Sequence, residues 1–150
     1  MTRLQQARAL AATVPDPELP MLTIADLGIL RGVTESPDGA IEVTITPTYS
    51  GCPAMDMIAL TLRDTLISAG LAPVHIRTTL APAWTTDWIT ETGRQKLAEA
   101  GIAPPTRTPP SCPLCASTDT ELLSAFGSTA CKSLWRCRTC REPFDHFKCH

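Results

Sequence analysis

At 150 residues the chain can form one ordinary domain, or one small domain joined to a module held together by metal. Its 13 Lys and Arg against 15 Asp and Glu leave a net charge of -2, divided as -3 over residues 1–111 and +1 over residues 112–150, so neither half has the basic excess of a nucleic-acid binder. No apolar run nears the roughly 18 residues of a membrane span, and Met1-Thr2-Arg3-Leu4-Gln5-Gln6 lacks an apolar export core, so a cytoplasmic protein without membrane or nucleic-acid partners is expected.

Leu4, Ala7, Leu10 and Ala11 mark one face of a short opening helix. It must end before Val14-Pro15-Asp16-Pro17, because a residue preceding proline is pushed out of the helical region. A loop through residues 20–28 leads to a strand near 29–33, and Ser36-Pro37-Asp38-Gly39 is a turn joining it to a second strand at 40–47. Within that strand Ile41, Val43 and Ile45 alternate with Glu42, Thr44 and Thr46, the period of a half-buried strand.

Met55, Ile58, Leu62 and Leu66 then recur at helical spacing up to Gly70. Cys52 therefore falls on a strand-to-helix turn, with Pro53 suited to the first helical position. Unpaired N–H groups and the positive end of the helix dipole favour the thiolate there, the form that attacks electrophiles and binds metals. The alternative is a small apolar residue plugging the turn. A third strand is expected at 74–80, with Val74, Ile76, Thr78 and Leu80 on one face, and a last helix over 88–100, weakened by Gly93 and closed by Gly101. The pattern is α+β: a small α/β sandwich of helix, hairpin, helix, strand and helix over residues 1–102.

Residues 103–111, with four prolines, read as a semi-rigid linker. In residues 112–150, Cys112-Pro113-Leu114-Cys115 and Cys137-Arg138-Thr139-Cys140 are paired C-x-x-C knuckles. On facing hairpins they place Cys112, Cys115, Cys137 and Cys140 tetrahedrally around a zinc ion at about 2.3 Å. So short a segment cannot bury enough apolar surface to fold alone, which makes this a closed, structural zinc ribbon, with iron or an iron–sulfur cluster as the alternative occupant. An odd total of seven cysteines in a reducing compartment agrees with metal or thiol chemistry. Cys131 and Cys149 are left over, either as core fillers, as a redox pair, or as part of a labile iron or iron–sulfur site with Cys52; His146 and His150 lie near Cys149.

Val14-Pro15-Asp16-Pro17-Glu18, Ile24-Ala25-Asp26-Leu27-Gly28-Ile29, Thr46-Pro47-Thr48 and Gly51-Cys52-Pro53-Ala54-Met55 together resemble the domain of SufT-type iron–sulfur assembly factors. The tail run from Phe126 to Cys137, followed by Glu142-Pro143-Phe144-Asp145-His146-Phe147-Lys148-Cys149, is similar to the PaaD (PaaJ) family. Members of that family accompany the phenylacetyl-CoA oxygenase/epoxidase of bacterial phenylacetate degradation. The resemblance covers nearly the whole chain. It implies an accessory or maturation factor that assists assembly of an iron or iron–sulfur centre, while a di-iron subunit and its reductase carry the substrate chemistry and are the expected partners. By motif, Cys52 is the functional thiol, with Asp26 and Thr46 in the same pocket, and the four knuckle cysteines hold the tail metal. The first knuckle ends in Ala116 where many ribbons have glycine. A non-catalytic adapter docking through the ribbon, and pairing of two chains into a homodimer, remain open. An enzyme using Cys52 on a thioester lacks a histidine base nearby, His75 being the one histidine outside the tail.

Overall fold

The computed structural model describes residues 1–48, 54–129 and 131–149, which divide into two compact units, Met1–Thr90 and Glu91–His150. The first unit follows the expected order. Helix α1 (Arg3–Ala11) opens it with a capping box: the Thr2 hydroxyl accepts the Gln5 N–H, and the Gln5 side chain returns to the Thr2 N–H. Strands β1 (Leu30–Glu35) and β2 (Ile41–Ile45) form an antiparallel hairpin, turned at Gly39 with φ 88°. Helix α2 (Ala54–Ser68) crosses over to β3 (Val74–Thr78), which pairs parallel to β2.

β2 is thus the central strand of a three-stranded sheet in the order β1-β2-β3. Ile41, Val43 and Ile45 are fully buried, as are Leu62 and Leu66 of α2, and Ile58 is nearly so. Each such side chain contributes about 2 kcal/mol of transfer free energy. Helices α1 and α2 touch one another and pack on the sheet. β3 is an edge strand that ends at Thr78, so Leu80, expected on its apolar face, lies beyond it and is 68% exposed.

The segment after β3 departs from the expected single helix over 88–100. A short 3-10 turn at Thr86–Trp88, capped by the Thr85 hydroxyl, is followed by extended Ile89, and helix α3 (Glu91–Glu99) begins only afterwards. Tertiary contacts explain the break. Trp84 is buried with its indole N–H on the Leu27 carbonyl at 2.8 Å, the Thr90 N–H donates to the Asp26 carbonyl at 2.9 Å, and Trp88 sits against Gly28. These bonds tie residues 84–90 to the loop before β1.

The second unit contains α3 and a four-stranded sheet in the order β4-β7-β6-β5, from β4 (Ile102–Ala103), β5 (Thr120–Ser124), β6 (Lys132–Cys137) and β7 (Pro143–Phe147). Ala103, read in the sequence as the start of the linker, pairs with His146 of β7. Among the described residues no helix is long and apolar enough to cross a membrane.

Gly28 has φ +75°, and a Cβ there would lie 2.6 Å from the Trp88 Cβ and 2.7 Å from its carbonyl oxygen. Gly28→Ala should therefore cost about 3 kcal/mol, the sum of left-handed strain and overpacking. Urea titration of both variants should read the difference, Gly39→Ala, with open space around its Cβ, losing only about 1 kcal/mol.

Candidate metal centre

The two knuckles are built alike. Cys112 begins the first, where its sulfur accepts the Leu114 N–H at 3.4 Å; Cys137 ends β6 and its sulfur accepts the Cys140 N–H, also at 3.4 Å. The residue after each second cysteine then turns left-handed, Ala116 at φ 63° and Arg141 at φ 66°. Ala116 accordingly occupies the position where glycine is cheapest, and its N–H donates to the Cys112 carbonyl at 2.8 Å to close the turn.

β6 brings Cys137 into a small core of Ala103, Cys112 and Phe144, flanked by Trp135 and Cys140. All four knuckle sulfurs lie within 4.8 Å of one another, with Cys112 to Cys140 at 3.7 Å and Cys115 to Cys137 at 3.5 Å. Four thiolates at 2.3 Å from a tetrahedral zinc stand about 3.8 Å apart, so the donor set and its spacing fit that ion. Four sulfurs leave no open coordination position, which suits a structural role.

The thiols are not equivalent. N–H groups of Cys140 and Thr139 draw the Cys137 thiol down to about 6. The Glu142 N–H favours the Cys140 thiolate, yet burial and the neighbouring thiols of Cys137, Cys112 and Cys115 push it up to about 12. Cys115 is also raised, the Ser117 N–H being outweighed by its hydrogen bond to Cys137 and by burial. Cys137 is therefore the ready thiolate at neutral pH, and metal entry must release protons from its neighbours.

The remaining candidates lie elsewhere. Cys52 lies outside the described residues, as does His150. Asp26 belongs to a closed loop: its carboxylate accepts the Thr23 N–H at 3.1 Å and its own N–H donates to the Thr23 hydroxyl at 3.0 Å. Thr46 is buried, its hydroxyl donating to the Thr79 carbonyl at 2.8 Å and its N–H to the Ile29 carbonyl at 2.9 Å. Cys131 is buried, its sulfur 2.9 Å from the Thr129 hydroxyl, and its carbonyl accepts the Lys148 N–H at 2.9 Å. Cys149 is exposed, and neither joins a group of three or more metal-donor side chains among the described residues. His75 is an exposed residue of β3.

Two features escaped the sequence reading. His146 is buried, edge-on to Trp135 at 6.0 Å between ring centroids and 3.5 Å from the Thr106 hydroxyl, with burial holding its imidazole toward the neutral form. Arg136, Arg138 and Arg141 gather on the outer face of the ribbon. Their every-second-residue spacing along 136 and 138 was the available signal, overshadowed by the cysteines between them.

Fold and site together define a two-part protein, an iron–sulfur-assembly-like α/β domain followed by a four-cysteine ribbon. Residues 4–75 match the family model described as iron-sulfur cluster assembly protein, and residues 103–148 match the PaaD zinc beta ribbon domain. The chain is 50% identical over 149 residues, covering 94% of itself and 90% of the relative, to an Escherichia coli K12 protein named as a subunit of 1,2-phenylacetyl-CoA epoxidase. The chain belongs to the family of that subunit, the PaaD family. An Fe-S protein maturation auxiliary factor of Porphyromonas gingivalis W83 is 39% identical over 80 residues, 53% of this chain and 75% of that protein. The crystal structure of the Bacillus anthracis domain DUF59 shares the fold with TM-score 0.58 at 23% identity, covering 63% of this chain and 91% of that one.

Ala116→Gly should stabilise the zinc-loaded ribbon by about 1 kcal/mol, read from the shift of its urea midpoint. Zinc affinity should fall as pH falls, since protons compete for the sulfurs. Chelator competition at a series of pH values should show log affinity rising with pH until the free thiols are ionised.

Proposed function

We propose that this chain is an accessory factor of a phenylacetyl-CoA epoxidase that helps assemble an iron or iron–sulfur centre of that system, with Cys52 as the functional thiol. The observation that carries this reading is the union in one chain of an iron–sulfur assembly domain with the PaaD ribbon, at 50% identity to a protein named as an epoxidase subunit. The di-iron subunit or the reductase is the recipient, and the complex works in the cytoplasm.

The two thiol sets have different tasks in this scheme. The closed cage of Cys112, Cys115, Cys137 and Cys140 retains zinc and holds the ribbon folded. A transfer site must release what it binds, and a single thiolate does so by ligand exchange, as donors of the recipient replace its sulfur on the iron. Asp26 and Thr46 act with it as the polar residues of the pocket, and each is itself held in place. Asp26 closes the loop at 23–26, and Thr46 fixes the end of β2 to the segments at Ile29 and Thr79. Cys131 and Cys149 are further candidates for the labile iron site, completed within one chain or across a homodimer.

A second reading, a non-catalytic adapter that stabilises the oxygenase through its ribbon, draws support from the closure of the four-thiol cage. One experiment separates the two. Cys52→Ser should retain the fold and one zinc per chain while epoxidase activity is lost in cells that depend on this protein. A fully active Cys52→Ser strain would overturn the maturation role and leave the adapter.

A further inference from the structure

The outer face of the ribbon carries a charge arrangement that metal retention does not explain. A cleft of about 320 Å³ is lined by Glu121, Arg136, Arg138 and Arg141. Glu121 of β5 faces Arg136 of β6 across the ladder and accepts its Nε at 2.9 Å and its Nη2 through the same oxygen. Arg138 is held between Asp119 at 3.1 Å and Glu121 at 3.3 Å. The two carboxylates thus fix two guanidinium groups in place while leaving the Arg136 Nη1 and the Arg138 Nε free to donate. Arg141 makes no hydrogen bond or ion pair with any described residue, and all its donors remain available. It also holds a left-handed backbone that glycine would adopt at lower cost.

Beside this cleft runs β5, an edge strand whose outer side pairs with nothing among the described residues. It displays Leu122 at 53%, Leu123 at 47% and, just past its end, Phe126 at 68% exposure. An open edge bearing exposed apolar side chains invites a further strand unless it is covered; Glu121, the one charge of β5, is turned to Arg136, and the register shift between Leu122 and Ser124 leaves Leu123 unpaired to β6. An added strand satisfies the edge backbone groups and buries the leucines, and the adjacent guanidinium groups select acidic side chains on that strand. A second copy of this chain is a poor occupant, because edge-to-edge pairing would bring two arginine-lined clefts alongside each other.

We propose that the β5 edge and the Arg136, Arg138 and Arg141 cleft together form a docking surface for an extended, acidic segment of another protein. Where that segment belongs to an epoxidase subunit, the proposal rests on the function given above.

The test uses the full-length, zinc-loaded protein and a fluorescent ten-residue peptide alternating Glu with Val and Leu, alongside the same peptide with Lys for Glu. The Glu peptide should bind, more weakly as salt is raised, and the Lys peptide should not. Arg141→Gly should weaken binding about tenfold while zinc stays at one per chain and the urea midpoint is unchanged or higher, which a merely structural arginine would not produce. Leu123→Lys should also weaken it. Equal binding by Arg141→Gly, equal binding of the Lys peptide, or a dimer that Leu123→Lys breaks apart in the absence of peptide binding would each overturn the proposal. So would displacement of the peptide by equimolar inorganic phosphate, the mark of a small-anion pocket. Co-purification with co-expressed epoxidase subunits separates the two readings. Subunits retained equally by wild type and Arg141→Gly refute the surface and leave the accessory role standing; peptide binding that Arg141→Gly weakens, with no subunit retained by wild type, supports the surface and refutes the epoxidase partnership.

Discussion

Four sulfur atoms within 4.8 Å of one another are the constraint on which the second unit depends, since a shared cation lets all four be thiolates at once. Beyond the sulfurs' own small core of Ala103, Phe144 and Trp135, the unit of about sixty residues buries Leu97, Ile102 and Phe147, and metal binding adds its free energy to that burial. Metal binding and folding are therefore coupled there. The N–H groups that lower the Cys137 thiol also close its knuckle, so the first thiolate and the first turn form together.

The first unit rests on a different principle. The fully buried face of the central strand β2 and the apolar stripe of α2 supply its stability, and the chain from 84 to 90 is tied to the loop before β1 by the Trp84 indole, the Thr90 amide and the close approach of Trp88 to Gly28. That loop also contains Asp26. A position important to the proposed chemistry therefore gains its rigidity from residues sixty positions away, and Gly28 is needed because any side chain there would collide with Trp88. Where an exchangeable thiol and a closed metal cage occur in one chain, the division between them lets one part release metal while the other never does.

Local patterns were legible where a single periodicity or motif dictates structure. The alternation through Ile41, Val43 and Ile45, the helical spacing of Ile58, Leu62 and Leu66, the Gly39 turn and the paired C-x-x-C knuckles all appear where the residues place them. The helix expected over 88–100 did not appear as one element, because propensity cannot anticipate that Trp84 and Thr90 bond to, and Trp88 packs against, a loop far away in the chain. The arginine cleft was hidden for a similar reason: its three guanidinium groups become one site only when Glu121 arrives from a neighbouring strand.

From sequence alone came the α+β class, the family resemblance and the identity of the four clustered thiols, since these depend on short-range spacing and on residue chemistry that travels with the chain. Tertiary structure alone decided that Ala116 and Arg141 end the two knuckles in matching left-handed turns, that α3 lies within the second unit, and that β5 is left, among the described residues, as an open edge beside the guanidinium groups of Arg136, Arg138 and Arg141. Each of those outcomes is set by which distant backbone donors and acceptors meet, and spacing along a single strand carries no record of its partner.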